Sequence, residues 1–181
     1  IEGSMILADL IPIMVTLTQL DISSNGLGPE GANILVDAVT VGTSLTELDI
    51  SNNSVGPFGG KAISKAFAVN SSLTKVNLKR NILGDIGWCA IFNALYKNKK
   101  NKITMWDLSY EKINATIAKS LAHYLAMSDS LTMLDLNGNM LCGVKNGKGT
   151  YTAEGVKAIA DAMGMNNSLT KLKVGDNNLG D

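Results

Sequence analysis

The stretch Leu141 to Gly155, LCGVKNGKGTYTAEG, gathers glycines, Lys145, Lys148 and a threonine just ahead of a helix-like segment, the composition of a loop that cradles phosphate. Such a loop needs G-x-x-x-x-G-K followed at once by Ser or Thr, so that backbone amides wrap the phosphates and the hydroxyl meets magnesium. Here Gly143 to Gly147 is one residue short, and Gly149 stands where the hydroxyl belongs. The stretch reads as an inserted rim loop, rich in glycine and basic through Lys145 and Lys148. No nucleotide or other cofactor is expected.

The remaining reactive side chains form no catalytic set. His123 is the only histidine, it falls on the polar face of a helical segment, and no nucleophile or carboxylate partner can be placed beside it. Cys89 and Cys142 are too few for a disulfide framework and lack metal-ligand spacing. They suit a reducing, cytoplasmic setting. Sixteen basic residues balance sixteen acidic ones at a pI near 6.8, which removes the electrostatic footprint of a nucleic-acid or anionic-membrane binder. The run KNKKNK, Lys97 to Lys102, is the local exception. No apolar run approaches the ~18 residues of a membrane span. The expectation is a non-catalytic protein.

What must position the side chains is a repeated unit. LTQLDISSNGLG from Leu17, LTELDISNNSVG from Leu45, LTKVNLKRNILG from Leu73, ITMWDLSYEKIN from Ile103, LTMLDLNGNMLC from Leu131 and LTKLKVGDNNLG from Leu169 follow at intervals of 28, 28, 30, 28 and 38. Within each, alternation predicts a short strand: Leu45, Leu48 and Ile50 point one way, Glu47, Asp49 and Ser51 the other. The second halves, PEGANILVDAV, PFGGKAISKAF, DIGWCAIFNAL and AEGVKAIADAM, carry helical spacing, with Ile34, Leu35, Ala38 and Val39 on one face. No unit can bury both its strand and its helix face alone, so units stack, strands pair in parallel about 4.8 Å apart, and helices cover the outside.

A strand and a helix at a 28-residue period, with asparagine three residues after the last strand leucine, resemble the leucine-rich repeats of the ribonuclease-inhibitor type along the whole chain. The resemblance implies an α/β fold: a right-handed solenoid, a horseshoe segment with a parallel sheet on the concave face and helices on the convex face. Ribonuclease inhibitors, the sensor arms of NOD-like receptors, Ran GTPase-activating proteins and tropomodulins share that type. It implies a protein or peptide partner held by the concave strand face and rim loops, with a Ran GTPase-activator-like regulator or an actin-associated tropomodulin-like module as alternatives.

Alternation places Asp21, Glu47, Asp49, Lys75, Lys79, Met105, Asp107, Met133, Asp135, Lys171 and Lys173 on the concave face. Asp21, Asp49, Asp107 and Asp135 form an acidic column interrupted by Asn77, read either as solubilising or as a docking stripe free of fold duties. Arg80, Tyr110, Lys145 and Lys148 lie on the rim. Asn25, Asn53, Asn81, Asn139 and Asn177 predict a hydrogen-bonded ladder between units. Glu111 replaces asparagine in the fourth unit, and because a carboxylate cannot donate to a carbonyl, the ladder should be broken or water-filled there. Trp88 either fills a gap between helices or exposes an apolar spot on the convex side.

Residues 1–181 read as one solenoid segment with an inserted loop at 142–151. The phase of both ends predicts that the chain begins and stops within a repeat of a longer protein. Uncapped ends predict self-association.

Overall fold

The computed structural model describes residues 2–41, 44–144 and 148–179. Helix α1 (Glu2–Leu10) and a 3-10 turn (Ile11–Ile13) lead into β1 (Gln19–Asp21). Then α2 (Gly28–Val41), β2 (Glu47–Asp49), α3 (Gly56–Phe67), β3 (Lys75–Asn77), α4 (Gly84–Lys97), β4 (Met105–Asp107), α5 (Ala115–Met127), β5 (Met133–Asp135), α6 (Glu154–Met163) and β6 (Lys171–Lys173) alternate. The six strands form one parallel sheet in sequence order. This is the α/β leucine-rich-repeat solenoid expected from the repeat.

The register reproduces the sequence alignment. Gln19 lies opposite Glu47, Glu47 opposite Lys75, Lys75 opposite Met105, Met105 opposite Met133 and Met133 opposite Lys171. The inward leucines of each unit form one core with the helix faces. Leu45, Leu73, Ile103 and Leu131 are buried, as are Leu35, Ile63, Ile91, Leu121 and Ile159. Helices α3 and α4 approach closely because Gly60 faces Gly87; a Cβ on Gly60 would lie 2.9 Å from the Gly87 backbone.

Three columns of side chains lock neighbouring units together. Asparagine supplies the first. Nδ2 of Asn53 donates to the carbonyls of Ile22 and Ile50, while its Oδ1 accepts from the N–H of Asn25 at 2.8 Å. Asn81 repeats this towards Ile50 and Asn53, Asn139 towards Leu108 and Ile113, and Asn177 towards Leu136 and Leu141. Each amide satisfies backbone groups that burial would otherwise strand.

The second column is the threonine that follows the first apolar residue of the second to sixth units. Oγ1 of Thr46, Thr74, Thr104, Thr132 and Thr170 donates to the carbonyl of the threonine one unit earlier at 3.0–3.2 Å. A third column occupies the opposite rim, where helices hand over to strands. Nδ2 of Asn98 donates to the Phe67 and Asn70 carbonyls, and Nδ2 of Asn166 to those of Leu125 and Ser128. Oδ1 of Asn70 and of Asn166 accepts the N–H of the leucine three residues on, Leu73 and Leu169, at 2.9 and 2.7 Å.

The fourth unit departs as expected. The β3–β4 register is limited to Lys75 with Met105, and Glu111 Oε1 accepts from the Arg80 N–H instead of continuing the ladder. Trp106 replaces the strand leucine and packs edge-on against Phe67, Trp88 and Phe92 at 6.1–6.3 Å. Trp88 is 1 % exposed, so it fills the interior and makes no convex spot. Burial pushes the Tyr124 phenol up to about 12, which keeps it neutral within this aromatic cluster.

Candidate functional site

The sheet face opposite the helices is a groove of about 530 Å³ over β1 to β4, lined by Gln19, Asp21, Glu47, Asp49, Lys75, Asn77 and Met105. Short strands set its width. Each contributes two outward side chains flanking one inward apolar residue, Leu48 in β2, Val76 in β3 and Trp106 in β4. Asp21, Lys75, Met105, Asp107 and Lys171 are exposed there, and Glu47, Asp49, Met133 and Lys173 are half-buried.

Asp135 is 7 % exposed, and the Lys173 Nζ lies 2.7 Å from its Oδ2. The expectation that Asp49, Asp107 and Asp135 have no fold duties is overturned. Oδ1 of Asp21, Asp49, Asp107 and Asp135 each accepts the N–H two residues on, at Ser23, Ser51, Ser109 and Asn137, over 2.8–3.0 Å. Asn77 does the same for Lys79. The carboxylate thus caps the turn by which the chain leaves the strand. Lys173 cannot accept, and the Gly175 N–H turns to Asn137 Oδ1 at 2.7 Å instead.

Most charges on the face are already matched. Lys75 pairs with Glu47 at 2.7 Å, and Lys79 Nζ reaches Asp107 Oδ2 at 2.9 Å and Ser109 Oγ at 2.8 Å. Asn77 Nδ2 donates to Asp49 Oδ2. Hydrogen bonds from the Ser23 backbone and hydroxyl hold the Asp21 carboxyl below its ordinary range. Burial pushes Asp107 up, but hydrogen bonds from Ser109 and Lys79 outweigh it and leave the group lowered. The Asp135 hydrogen bond raises Lys173. Among the described residues Asp21 and Asp49 at the β1–β2 end make no ion pair with a cation, and Lys171 at the β6 end makes none with an anion, so the face runs from acidic to basic along the stack.

On the post-strand rim, Arg80 and Tyr110 are exposed, and both occupy left-handed backbone at φ 58° and 61°. The Tyr110 ring lies against Gly138 of the next unit, where any Cβ would collide with it. Lys148 is exposed on the 142–151 loop; Lys145 lies outside the described residues. Cys142, assigned to that loop, is buried, and its carbonyl accepts the Thr152 N–H at 3.0 Å, closing the loop base. His123 sits in a convex groove between α5 and α6 with Lys119 and Asp161. Among the described residues no cluster of metal-ligating side chains occurs, and no helix is long and apolar enough to cross a membrane.

Residues 14–33, 43–64 and 166–181 match the family model described as Leucine Rich repeat. With the parallel sheet and its asparagine and threonine columns, those matches support a leucine-rich-repeat protein. The Caenorhabditis elegans tropomodulin C-terminal domain shares its fold at a TM-score of 0.65 and 10% identity, each chain covering 91%. The structure titled Leiomodin-1 Actin-Binding Site 2 is also similar, at a TM-score of 0.49 and 14% identity over 92% of this chain and 76% of that one. No curated protein matches the chain.

Proposed function

We propose that the chain is a non-catalytic protein-interaction module of the ribonuclease-inhibitor-like type that binds a protein or an extended peptide along its concave strand face, with the rim residues Arg80, Tyr110 and Lys148 at the edge of the contact. The observation that carries this reading is the groove over β1 to β4. It presents exposed Gln19 and Met105 beside exposed Asp21 and half-buried Asp49; among the described residues neither carboxylate pairs with a cation, and the second oxygen of Asp49 accepts from Asn77. Its size suits a segment of a partner; six strands at ~4.8 Å spacing give roughly 25 Å of stack, near the lower end of a standard interface. The two unpaired cysteines suit an intracellular setting.

Selection from a displayed random-peptide library tests the reading. Met105→Glu and Gln19→Lys alter the groove without touching a turn-capping carboxylate, and each should weaken the selected peptides by about tenfold. Peptides that bind both variants as well as the parent would move the contact off this face. Assays of GTP hydrolysis and of actin co-sedimentation separate the two alternative roles that the repeat resemblance implies.

Self-association belongs to the same proposal. The α1 end exposes Met5, Ile6, Ile13, Met14 and Val15, and β1 and β6 are sheet edges. Sedimentation velocity should show concentration-dependent association; a single monomer boundary at all concentrations would remove this part.

A further inference from the structure

We propose that the turn Asn98 to Lys102, on the rim opposite Arg80 and Tyr110, is a second docking site that takes an acidic protein segment carrying one apolar anchor residue. The spacing puts the fourth unit's two extra residues here. Asn70, Ser128 and Asn166 each stand three residues before the leucine that opens the next strand, whereas Asn98 stands five before Ile103. The turn is therefore longer than its neighbours. Lys97, the last residue of α4, and Lys99, Lys100 and Lys102 in the turn are all exposed. None makes an ion pair among the described residues.

The base of the turn is fixed. Asn98 is 7 % exposed; its Nδ2 donates to the Phe67 and Asn70 carbonyls at 2.9 and 2.7 Å, and its Oδ1 accepts the Lys100 N–H at 3.0 Å. Asn101 Nδ2 donates to the Asn98 carbonyl, and Asn101 Oδ1 accepts from the Tyr124 hydroxyl. Lys99 lies 4.7 Å above the Tyr96 ring and donates to the Tyr96 carbonyl, which offsets the C-terminal end of α4. The other three lysines have no such task. A hydrogen-bonded base presenting three such cations binds a charged partner with little ordering cost.

Beside the lysines a hollow of about 100 Å³ opens between α4 and α5, lined by Leu95, Tyr96, Asn98, Asn101, Tyr124 and Met127. Tyr96 and Met127 flank it at 40 % and 55 % exposed. That volume, about three waters at ~30 Å³ each, admits one side chain, which would meet Leu95, Tyr96 and Met127 as well as the polar Lys99 and Ser128. Asp129 also borders it and is the single carboxylate facing the lysines there. The neighbouring turns of this rim carry Asn70, Ser71 and Ser72, Ser128 and Ser130, or Asn166, Asn167 and Ser168, and no lysine. An anionic membrane would meet charge at only one point of such an edge, whereas a narrow acidic strand with an anchor meets all of it.

The probe is a short fluorescent peptide of Asp and Glu around one central Leu, followed by anisotropy at low salt. Replacing Lys97, Lys100 and Lys102 together by Glu, with Lys99 kept, should weaken it by about tenfold or more. The charge-matched control Lys61→Glu, Lys65→Glu and Lys157→Glu on the convex helices should change it by less than about threefold. Leu→Gln in the peptide should weaken binding to the parent protein, and salt should weaken it throughout. If circular dichroism shows the Glu triple to be unfolded, the Gln triple at the same three positions takes its place. Absence of binding, equal loss in both triples, indifference to the peptide leucine, or turn-dependent binding of phosphatidylserine vesicles in place of the peptide would each overturn the proposal.

Discussion

Glu111 Oε1 accepts the backbone N–H of Arg80 at 2.8 Å, at the one place where the asparagine ladder would otherwise join the third unit to the fourth. The carboxylate offers no donor to the Leu78 carbonyl, which is left with the amide of its own unit's Asn81. Burial raises the Glu111 pKa above its ordinary value, with the Arg80 N–H pulling the other way.

Glu111→Asn should therefore stabilise the fold by roughly 1 kcal/mol near neutral pH, by restoring the donor. The sign of the pH dependence follows from the raised value. The folded state holds the Glu111 proton more tightly than the unfolded one, so stability falls as pH rises from the unfolded pKa through the folded pKa. The gain from asparagine should be larger at pH 7 than at pH 4. Urea midpoints at both pH values check this; a loss at pH 7 would show that the Arg80 contact outweighs the missing donor.

Ile82 occupies left-handed backbone at φ 56° while 73 % exposed. A β-branched side chain is strained there, and little packing offsets the strain. Gly26 and Asn178 hold the same phase with φ 63° and 50°. Ile82→Asn should raise stability by about 1 kcal/mol. An unchanged or lower denaturation midpoint would mean that the isoleucine has favourable contacts that its exposure conceals.

Deleting Cys142 to Tyr151 joins Leu141 to Thr152, positions brought together by the Cys142–Thr152 hydrogen bond. The shortened chain should keep its far-ultraviolet spectrum and unfold cooperatively. It loses about 1–2 kcal/mol from the buried Cys142 and from the Tyr151 hydroxyl's bond to the Leu179 carbonyl. Broad, non-cooperative unfolding would make the loop part of the core.

The architecture was legible because stacking forces identical demands on every unit, and the leucines, the LT pairs and the ladder asparagines recur in one phase. The broken ladder at Glu111 followed from the chemistry of a carboxylate. The turn-capping role of Asp21, Asp49 and Asp107 was missed because alternation assigns a side chain to a face without saying what its oxygens reach. The second asparagine column was present in sequence too: Asn70 and Asn166 precede Leu73 and Leu169 by the same three residues. The Asp135–Lys173 pair was hidden because the two residues stand one unit apart along the stack and are separated in sequence by the ten-residue excess.

The central claim concerns which face is used, and methionines stand on both. Met105, 38 % exposed, looks into the concave groove, whereas Met163 and Met165, 39 % and 63 % exposed, lie in and just after α6 on the convex side. Hydroxyl-radical footprinting of a complex with a library-selected peptide, read by mass spectrometry, reports all three at once. Protection of Met105 with unchanged labelling of Met163 and Met165 is the predicted result. Protection of Met163 and Met165 with Met105 fully labelled would contradict it.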